Sequence, residues 1–244
     1  GIRDFCLSRG LGDLYKRQAI AIELAGKDTN IVINCVNNVD KLNEVKSIIE
    51  EKGSVCETFI GDMGNYSDVQ KMFDMCLQRF GQVDVLINNA GISVVGLFQD
   101  MGENEWHRIC NTNLDSVFNC CHFAVKDMMK RHCGKIINIS SVWGLYGASC
   151  EVAYSATKGA VNSFTKALAK ELAPSGIQVN AVACGAIDTE MNGHLSDDDK
   201  ASLAEEIPAG RFGSPQEVAK LVKSLSGMNS YLTGQIITLD GGWI

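Results

Sequence analysis

Ile136-Ile137-Asn138-Ile139-Ser140-Ser141, followed after a short loop by Tyr154-Ser155-Ala156-Thr157-Lys158, is the stretch on which the reading of this chain turns. The isoleucine-rich run has the pattern of a strand buried in a sheet, and it ends in two hydroxyls. From Tyr154 onward, Ala160, Phe164, Ala167, Leu168 and Leu172 recur at helical spacing, which predicts a helix with an apolar face. Tyr154 and Lys158 stand at i and i+4 and so share one side of that helix. A free phenol titrates near about 10 and is a poor acid or base at neutral pH. A fixed ammonium beside it favours the phenolate, so that a proton can move in either direction. Ser141, at the strand end, is placed to hydrogen-bond the same substrate oxygen. Alone, a Tyr-x-x-x-Lys spacing is equally a solvated lysine over a half-buried tyrosine. Its weight comes from the hydroxyl-tipped strand before it and from Asn88-Asn89-Ala90-Gly91, which ends another apolar strand upstream.

On either side of this stretch, strand and helix patterns alternate. Strands are predicted at residues 30–35, 55–60, 83–88, 134–140, 177–184 and 235–239. Helices are predicted at 18–25, 40–52, 67–80, 103–131 (one helix or two), 154–173 and 214–225. Ser67-Asp68-Val69-Gln70 has the spacing of a capping box, and Gly81 stops its helix. Ser214-Pro215-Gln216-Glu217 supplies an N-cap, a proline at the first helical position and a capping glutamate. Residues 1–7 form a candidate short strand interrupted by Arg3 and Asp4. Ser8-Arg9-Gly10-Leu11-Gly12 is a glycine turn of the kind that lets backbone amides approach a phosphate, and Asp13-Leu14-Tyr15-Lys16-Arg17 precedes the first helix. Residues 185–213 have mixed polarity and are expected to form a mobile insert over the substrate. Sustained alternation implies a doubly wound, Rossmann-like parallel sheet with helices on both faces, read as one α/β domain over residues 1–244. Ligands of such sheets bind beyond the carboxyl ends of the strands, which places Gly10, Asp62, Asn89, Ser141 and Gly185 along one edge.

Composition narrows the partners. The 244 residues suffice for one large core without disulfide or metal. Lys+Arg 22 against Asp+Glu 29 gives a net charge of −7, which argues against nucleic acid or an anionic membrane as the main partner. The ten cysteines are scattered, without a C-x-x-C, and neither zinc nor a redox dithiol has its ligand spacing. Free thiols in a reducing compartment are expected. No apolar run reaches the length of a membrane span and no signal peptide is evident, so a soluble, cytoplasmic protein is expected.

These motifs together resemble the short-chain dehydrogenase/reductase superfamily, and from about Gln18 to Trp243 most closely its β-ketoacyl-[acyl carrier protein] reductases. The family's N-N-A-G matches Asn88-Asn89-Ala90-Gly91, its Y-x-x-x-K matches Tyr154 and Lys158, and its serine thirteen residues before the tyrosine matches Ser141. Asn113, in Asn111-Thr112-Asn113-Leu114, matches the asparagine that holds a proton-relay water. The run from Ile207 to Ala219 and the run from Tyr231 to Gly242 match the same branch. The resemblance implies a catalytic set of Asn113, Ser141, Tyr154 and Lys158. Tyr154 would pass its proton to the carbonyl oxygen, Lys158 would hold the nicotinamide ribose and lower the tyrosine pKa, and Ser141 would orient the substrate. Arg9, Gly10, Leu11, Gly12, Asp62, Met63, Asn89, Ala90, Gly91, Gly185, Ile187 and Thr189 would join Tyr154 and Lys158 in binding the cofactor. Asp62 would meet the adenine, and Ile187 and Thr189 the carboxamide. The bland alternatives are that Ser140 and Asn138 cap backbone groups and that Asn113 is a buried helix residue satisfying its neighbours.

Departures concentrate at the cofactor end. Phe5, Cys6 and Leu7 stand where the family has threonine, glycine and a small residue, five extra residues (13–17) precede the helix, and Cys184 replaces the proline of P-G-x-I-x-T, a change expected to loosen that turn. No acidic residue follows the second strand, in Asn34-Cys35-Val36-Asn37-Asn38, and Arg9 matches the arginine that faces a 2′-phosphate. NADP(H) is therefore favoured over NAD(H). The implied function is NADPH-dependent reduction of a ketone to a secondary alcohol, with a 3-oxoacyl thioester on acyl carrier protein as first choice. Lys126, Lys130, Arg131, His132 and Lys135 form a basic cluster for such an acidic partner; Arg131 matches one docking arginine, while Ser175 stands at the other. The alternatives are another ketone (a sterol, a sugar or a modified protein side chain) or a catalytically silent binding or assembly subunit. A homotetramer is expected.

Overall fold

The computed structural model describes residues 3–8, 14–189, 191, 193, 195–227 and 231–244. Seven strands form one parallel sheet: β1 (Arg3–Ser8), β2 (Thr29–Cys35), β3 (Val55–Ile60), β4 (Val85–Asn88), β5 (Gly134–Ser141), β6 (Ile177–Cys184) and β7 (Ile236–Leu239). Their spatial order is β3-β2-β1-β4-β5-β6-β7, so the winding reverses between β1 and β4, and a crevice opens there at the carboxyl ends.

Period-two alternation assigns each strand residue to a face. Ile31, Ile33, Val85, Ile87, Ile137 and Ile139 pack against α1 (Leu14–Leu24), α2 (Val39–Glu51) and α9 (Pro215–Gly227). Val32, Leu86, Ile136 and Val179 pack against α3 (Tyr66–Phe80), α5 (Ser116–Arg131) and α7 (Val152–Leu172). Both faces are thus covered, which is why these strands carry apolar residues in unbroken runs.

Several local expectations need correction. The cap of α3 is Asn65, whose side chain accepts from the backbone N–H of Ser67 and Asp68, so the helix starts before the Ser67 box. Gly81 does end it, at φ +86. Ser214 and Glu217 form the reciprocal cap foreseen for α9. The long 103–131 segment is α4 (Glu103–Cys110) and α5 joined by a five-residue π-helical turn, Asn111–Asp115. Residues 185–213 contain a helix, α8 (Asp197–Glu206), fixed by a capping box between Ser196 and Asp199.

At the N-terminal segment the candidate strand at 1–7 is found as β1, and the correction concerns the phosphate turn and the residues after it. Phe5, Cys6 and Leu7 lie in strand β1, paired in register with Ile31, Val32 and Ile33 on one side and with Val85, Leu86 and Ile87 on the other. They are therefore not residues of the phosphate turn. Leu14 to Arg17 are not an insertion ahead of the helix either: they form the first turn of α1. Arg9, Gly10, Leu11 and Gly12 lie outside the described residues.

Candidate active site

Helix α7 starts at Val152 and carries Tyr154 and Lys158 on the side facing the end of β5, where both are buried, at 7% and 4% exposure. Close packing holds them there. A short helix, α6 (Trp143–Tyr146), lies against α7 so tightly that a Cβ on Gly144 would come within 2.6 Å of the carbonyl carbon of Lys158. A Cβ on Gly91 would come within 3.1 Å of Lys158 Nζ, so the bare backbone after β4 is what leaves room for the amine. Lys158 Nζ donates to the carbonyl of Ile139 at 2.8 Å and lies 5.7 Å from the centre of the Tyr154 ring.

Asn113 sits in the π-helical turn, a distortion that recurs at functional sites. Its Oδ1 accepts from the N–H of Ile92 at 2.8 Å, and its Nδ2 donates to the Ile92 carbonyl at 2.9 Å and to Thr157 Oγ1 at 3.1 Å. Asn113 clamps the segment after β4 to α7. Beneath it runs a buried polar ladder in which Asn88 Nδ2 donates to Asn138 Oδ1 and Asn138 Nδ2 donates to Thr165 Oγ1, at 2.9 and 2.8 Å. Asn138 therefore bonds side chains and not backbone, whereas Ser140 Oγ reaches the carbonyl of Lys158 at 3.4 Å.

A cavity of about 630 Å³ opens at this edge, and Ser141, Tyr154, Gly185, Ile187 and Thr189 line it together. The turn after β6 is not loosened by Cys184. That residue pairs with Ser141 and Leu239, its carbonyl accepts from Val142 N–H, and the N–H of Gly185 donates to Leu239. Asn89 and Ala90 are buried beside Gly91. Asp62 lies apart, beyond β3, with Oδ1 accepting from the N–H of Gly64 at 2.9 Å. Met63 is a core side chain, so its backbone alone can face a ligand, and its carbonyl already accepts from Asn119 Nδ2.

The electrostatics depart from expectation at the phenol. Burial pushes the Tyr154 hydroxyl upward, the Glu151 carboxylate and Cys184 add to that, and the hydrogen bond with Ser141 pulls the other way. Burial also lowers the Lys158 amine to about 7, with Lys16 adding to the fall. Near neutral pH the amine is therefore only partly charged and draws the tyrosine toward phenolate less than a permanent ammonium would, so burial holds the phenol protonated.

Among the wall residues given no role in the sequence reading are the polar and aromatic Lys16, Ser93, Trp143, Glu151 and Trp243. Glu151 had a signal, since it stands three residues, nearly one helical turn, before Tyr154. Lys16 had none, because its placement depends on where α1 begins. Conversely, Arg131 does not stand ready for an acidic partner. It is spent on Asp84 and Asp127, at 3.0 and 2.8 Å, and on the carbonyl of Val83.

The short chain dehydrogenase family model matches residues 7–200. The chain belongs to this family. It is an NAD(P)-dependent oxidoreductase with a Rossmann-like fold. Among curated relatives, the 3-oxoacyl-[acyl-carrier-protein] reductase FabG of Staphylococcus epidermidis is 39% identical over 236 residues, covering 96% of this chain and 95% of that protein. The FabG of Chlamydia muridarum is 36% identical, covering 96% and 93%. Among solved structures, ElxO with NADP bound superposes with a TM-score of 0.89 at 29% identity, covering 100% of this chain and 99% of that one. A short-chain dehydrogenase/reductase of Serratia marcescens reaches 0.90 at 27% identity, covering 100% and 98%.

The residues present fit a nicotinamide cofactor at the catalytic end. The bare backbone at Gly91, the buried Lys158 amine, the Tyr154 and Thr189 hydroxyls and the bonded turn at Gly185 supply the donors and the clearance that a ribose and a carboxamide require.

Proposed function

We propose that this oxidoreductase reduces a ketone to a secondary alcohol with NADPH, and that its first-choice substrate is a 3-oxoacyl thioester presented by acyl carrier protein. The observation that carries this reading is the convergence of Ser141 and Tyr154 on one cavity wall, with Lys158 buried directly behind. A bound nicotinamide would supply hydride for the carbonyl carbon. Tyr154 gives its proton to the carbonyl oxygen, and a phenol held protonated by burial suits the reductive direction. Ser141, already bonded to Tyr154, orients that oxygen. Lys158 would hold the cofactor ribose and could return a proton toward Tyr154, a task for which an amine lowered to about 7 is well matched. Asn113 keeps the segment after β4 against α7 through Ile92 and Thr157.

NADPH is preferred over NADH because β2 is followed by no acidic residue and Asn38 spends its side chain capping α2. The ElxO structure, which contains NADP, supports the same choice. With Arg131 committed internally, docking of an acidic carrier falls to Lys130, His132 and Lys126. We further assign a cytoplasmic homotetramer, supported by the exposed Phe118 and Met129 on α5 and tested by sedimentation. Residues 185–213 close over the substrate, so that cofactor and substrate together should lower their protease sensitivity.

One observation favours a second reading, a silent binding or assembly subunit: Lys16 reaches into the crevice wall. A single-turnover panel of carbonyl compounds with both cofactors, preceded by titration of NADPH fluorescence, separates the two. Binding followed by oxidation with a 3-oxoacyl thioester supports the reductase, and absence of binding supports the silent subunit.

A further inference from the structure

Ala186 and Ile187 line two cavities, the 630 Å³ one that holds Tyr154 and a second of about 130 Å³ whose wall includes Arg211, Gly213, Glu217 and Asp240. The turn after β6 thus separates the two. It is held by a short parallel pairing: Gly213 N–H donates to the Ala186 carbonyl, Asp188 N–H donates to the Gly213 carbonyl, both at 2.9 Å, and Ile187 bridges Gly213. The approach is close. A Cβ on Gly213 would come within 2.7 Å of Ile187 Cδ1, so a side chain there would have to move Ile187. Gly213 is itself gripped from both sides. Arg211 makes a two-pronged pair with Glu217, Nη1 to Oε2 at 2.9 Å and Nη2 to Oε1 at 2.7 Å, and Nη1 also donates to the Phe212 carbonyl. The same Oε2 accepts from Ser214 N–H at 2.8 Å and from Ser214 Oγ at 3.1 Å. A lone exposed ion pair fixes little, whereas a bidentate pair within a network fixes geometry. The hydrogen bond from Arg211, and then that from Ser214 N–H, lower the Glu217 carboxyl to about 2, so the pair is ionised at neutral pH. Asp240 does not compete for Arg211, since its two oxygens accept from the N–H groups of Gly242 and Ile244 at 3.0 and 3.1 Å.

We propose that Arg211 and Glu217 are positioning residues for the nicotinamide half of the cofactor: their pair clamps Gly213, and Gly213 sets where Ile187 and Thr189 stand in the large cavity. The inference rests on the reading that Ile187 and Thr189 hold the carboxamide. Neither Arg211 nor Glu217 lines the 630 Å³ cavity, so both act through the backbone of residues 186–188. Glu217 also caps α9, which anchors the clamp on a helix rather than on a loop.

The test uses the full chain and one probe for each half of NADPH. Reduced nicotinamide mononucleotide is followed by its fluorescence, and adenosine 2′,5′-bisphosphate by calorimetry. The Arg211 side chain is 59% exposed, so Arg211→Ala should fold as the wild type does. That variant should weaken the nicotinamide probe about tenfold and leave the adenosine probe within about twofold, a split that general loss of structure would not produce. Arg211→Lys keeps the charge without the fork and should recover only part of the affinity. In the ligand-free chain, Arg211→Ala should also speed amide hydrogen exchange at residues 185–189 while exchange in β5 is unchanged. Equal weakening of both probes, an unchanged affinity for the nicotinamide probe that the wild type binds, or unchanged exchange at 185–189 would overturn the proposal. Failure of the wild type to bind the nicotinamide probe, with exchange at 185–189 still quickened in Arg211→Ala, would sink the carboxamide reading and leave the clamp standing.

Discussion

At the β4–β7 end of the crevice the polar groups hang from strand ends and from one side of α7, whereas at the β1–α1 end two long cations, Lys16 and Arg17, stand in the first turn of the helix. The first end works by close approach. Gly91 and Gly144 leave so little space around Lys158 that its position is set by backbone. The second end works by reach. Arg17, buried, extends its Nη1 to the carbonyl of Asn34 at the end of β2, 2.7 Å away, so a side chain rather than bare backbone joins α1 to the sheet. Substitutions should therefore act differently at the two ends: on turnover and fit at one, on stability at the other.

The largest expected effect is at the catalytic end. Tyr154→Phe should lower turnover by at least about a hundredfold while cofactor affinity is nearly kept, since only the proton donor is lost. Steady-state rates alongside NADPH titration check this, and retained turnover would erase the contrast between the two ends. Arg17→Ala leaves the Asn34 carbonyl buried without its donor and opens a cavity. It should lower stability by about 2 kcal/mol or more in urea unfolding, with the loss in turnover far smaller than for Tyr154→Phe. Gly144→Ala drives a methyl into the Lys158 backbone and should cost about 1–3 kcal/mol, with a fall in turnover that the Arg17 variant does not show.

What was legible in the sequence follows from how local each cause is. Tyr154 and Lys158 share one helix side by periodicity alone, and Ser141 ends the strand just before that helix, so the set was legible from nearby sequence. The partners of Asn113 lie 21 and 44 residues away, at Ile92 and Thr157, and no local pattern points to them. Asn65 took the cap of α3 because its side chain reaches two successive amides from a position ahead of Ser67. The phenol departs from expectation because spacing shows the neighbouring amine but not burial, which raises the phenol and leaves that amine only partly charged near neutral pH. At the N-terminus the candidate strand was legible, and Cys6 pairs there with Val32 and Leu86, whereas the start of α1 at Leu14 was hidden because alignment to a family pattern set residues 13–17 apart as an insertion.

The smallest effect is in the pH dependence. Lys158 is lowered to about 7 in the folded chain from its ordinary 10.5. Between those values the unfolded chain binds a proton that the folded chain does not, so this group makes stability rise with pH, by at most about 1.4 kcal/mol per unit. Cys56 and Cys121, raised from 9.0 to about 12, oppose the rise only above pH 9. Unfolding at pH 7, 8 and 9 should show the climb, and Lys158→Met should reduce it, leaving the part due to Lys16, whose buried amine is lowered too.

The most direct single measurement is stopped-flow nicotinamide fluorescence on the wild type and Tyr154→Phe, each loaded with NADPH and mixed with a 3-oxoacyl thioester. Both should enhance the fluorescence on loading, and only the wild type should then lose it as hydride is transferred. Failure of either protein to bind NADPH, or equal decay in both, would contradict a reductase that works through the Tyr154 proton.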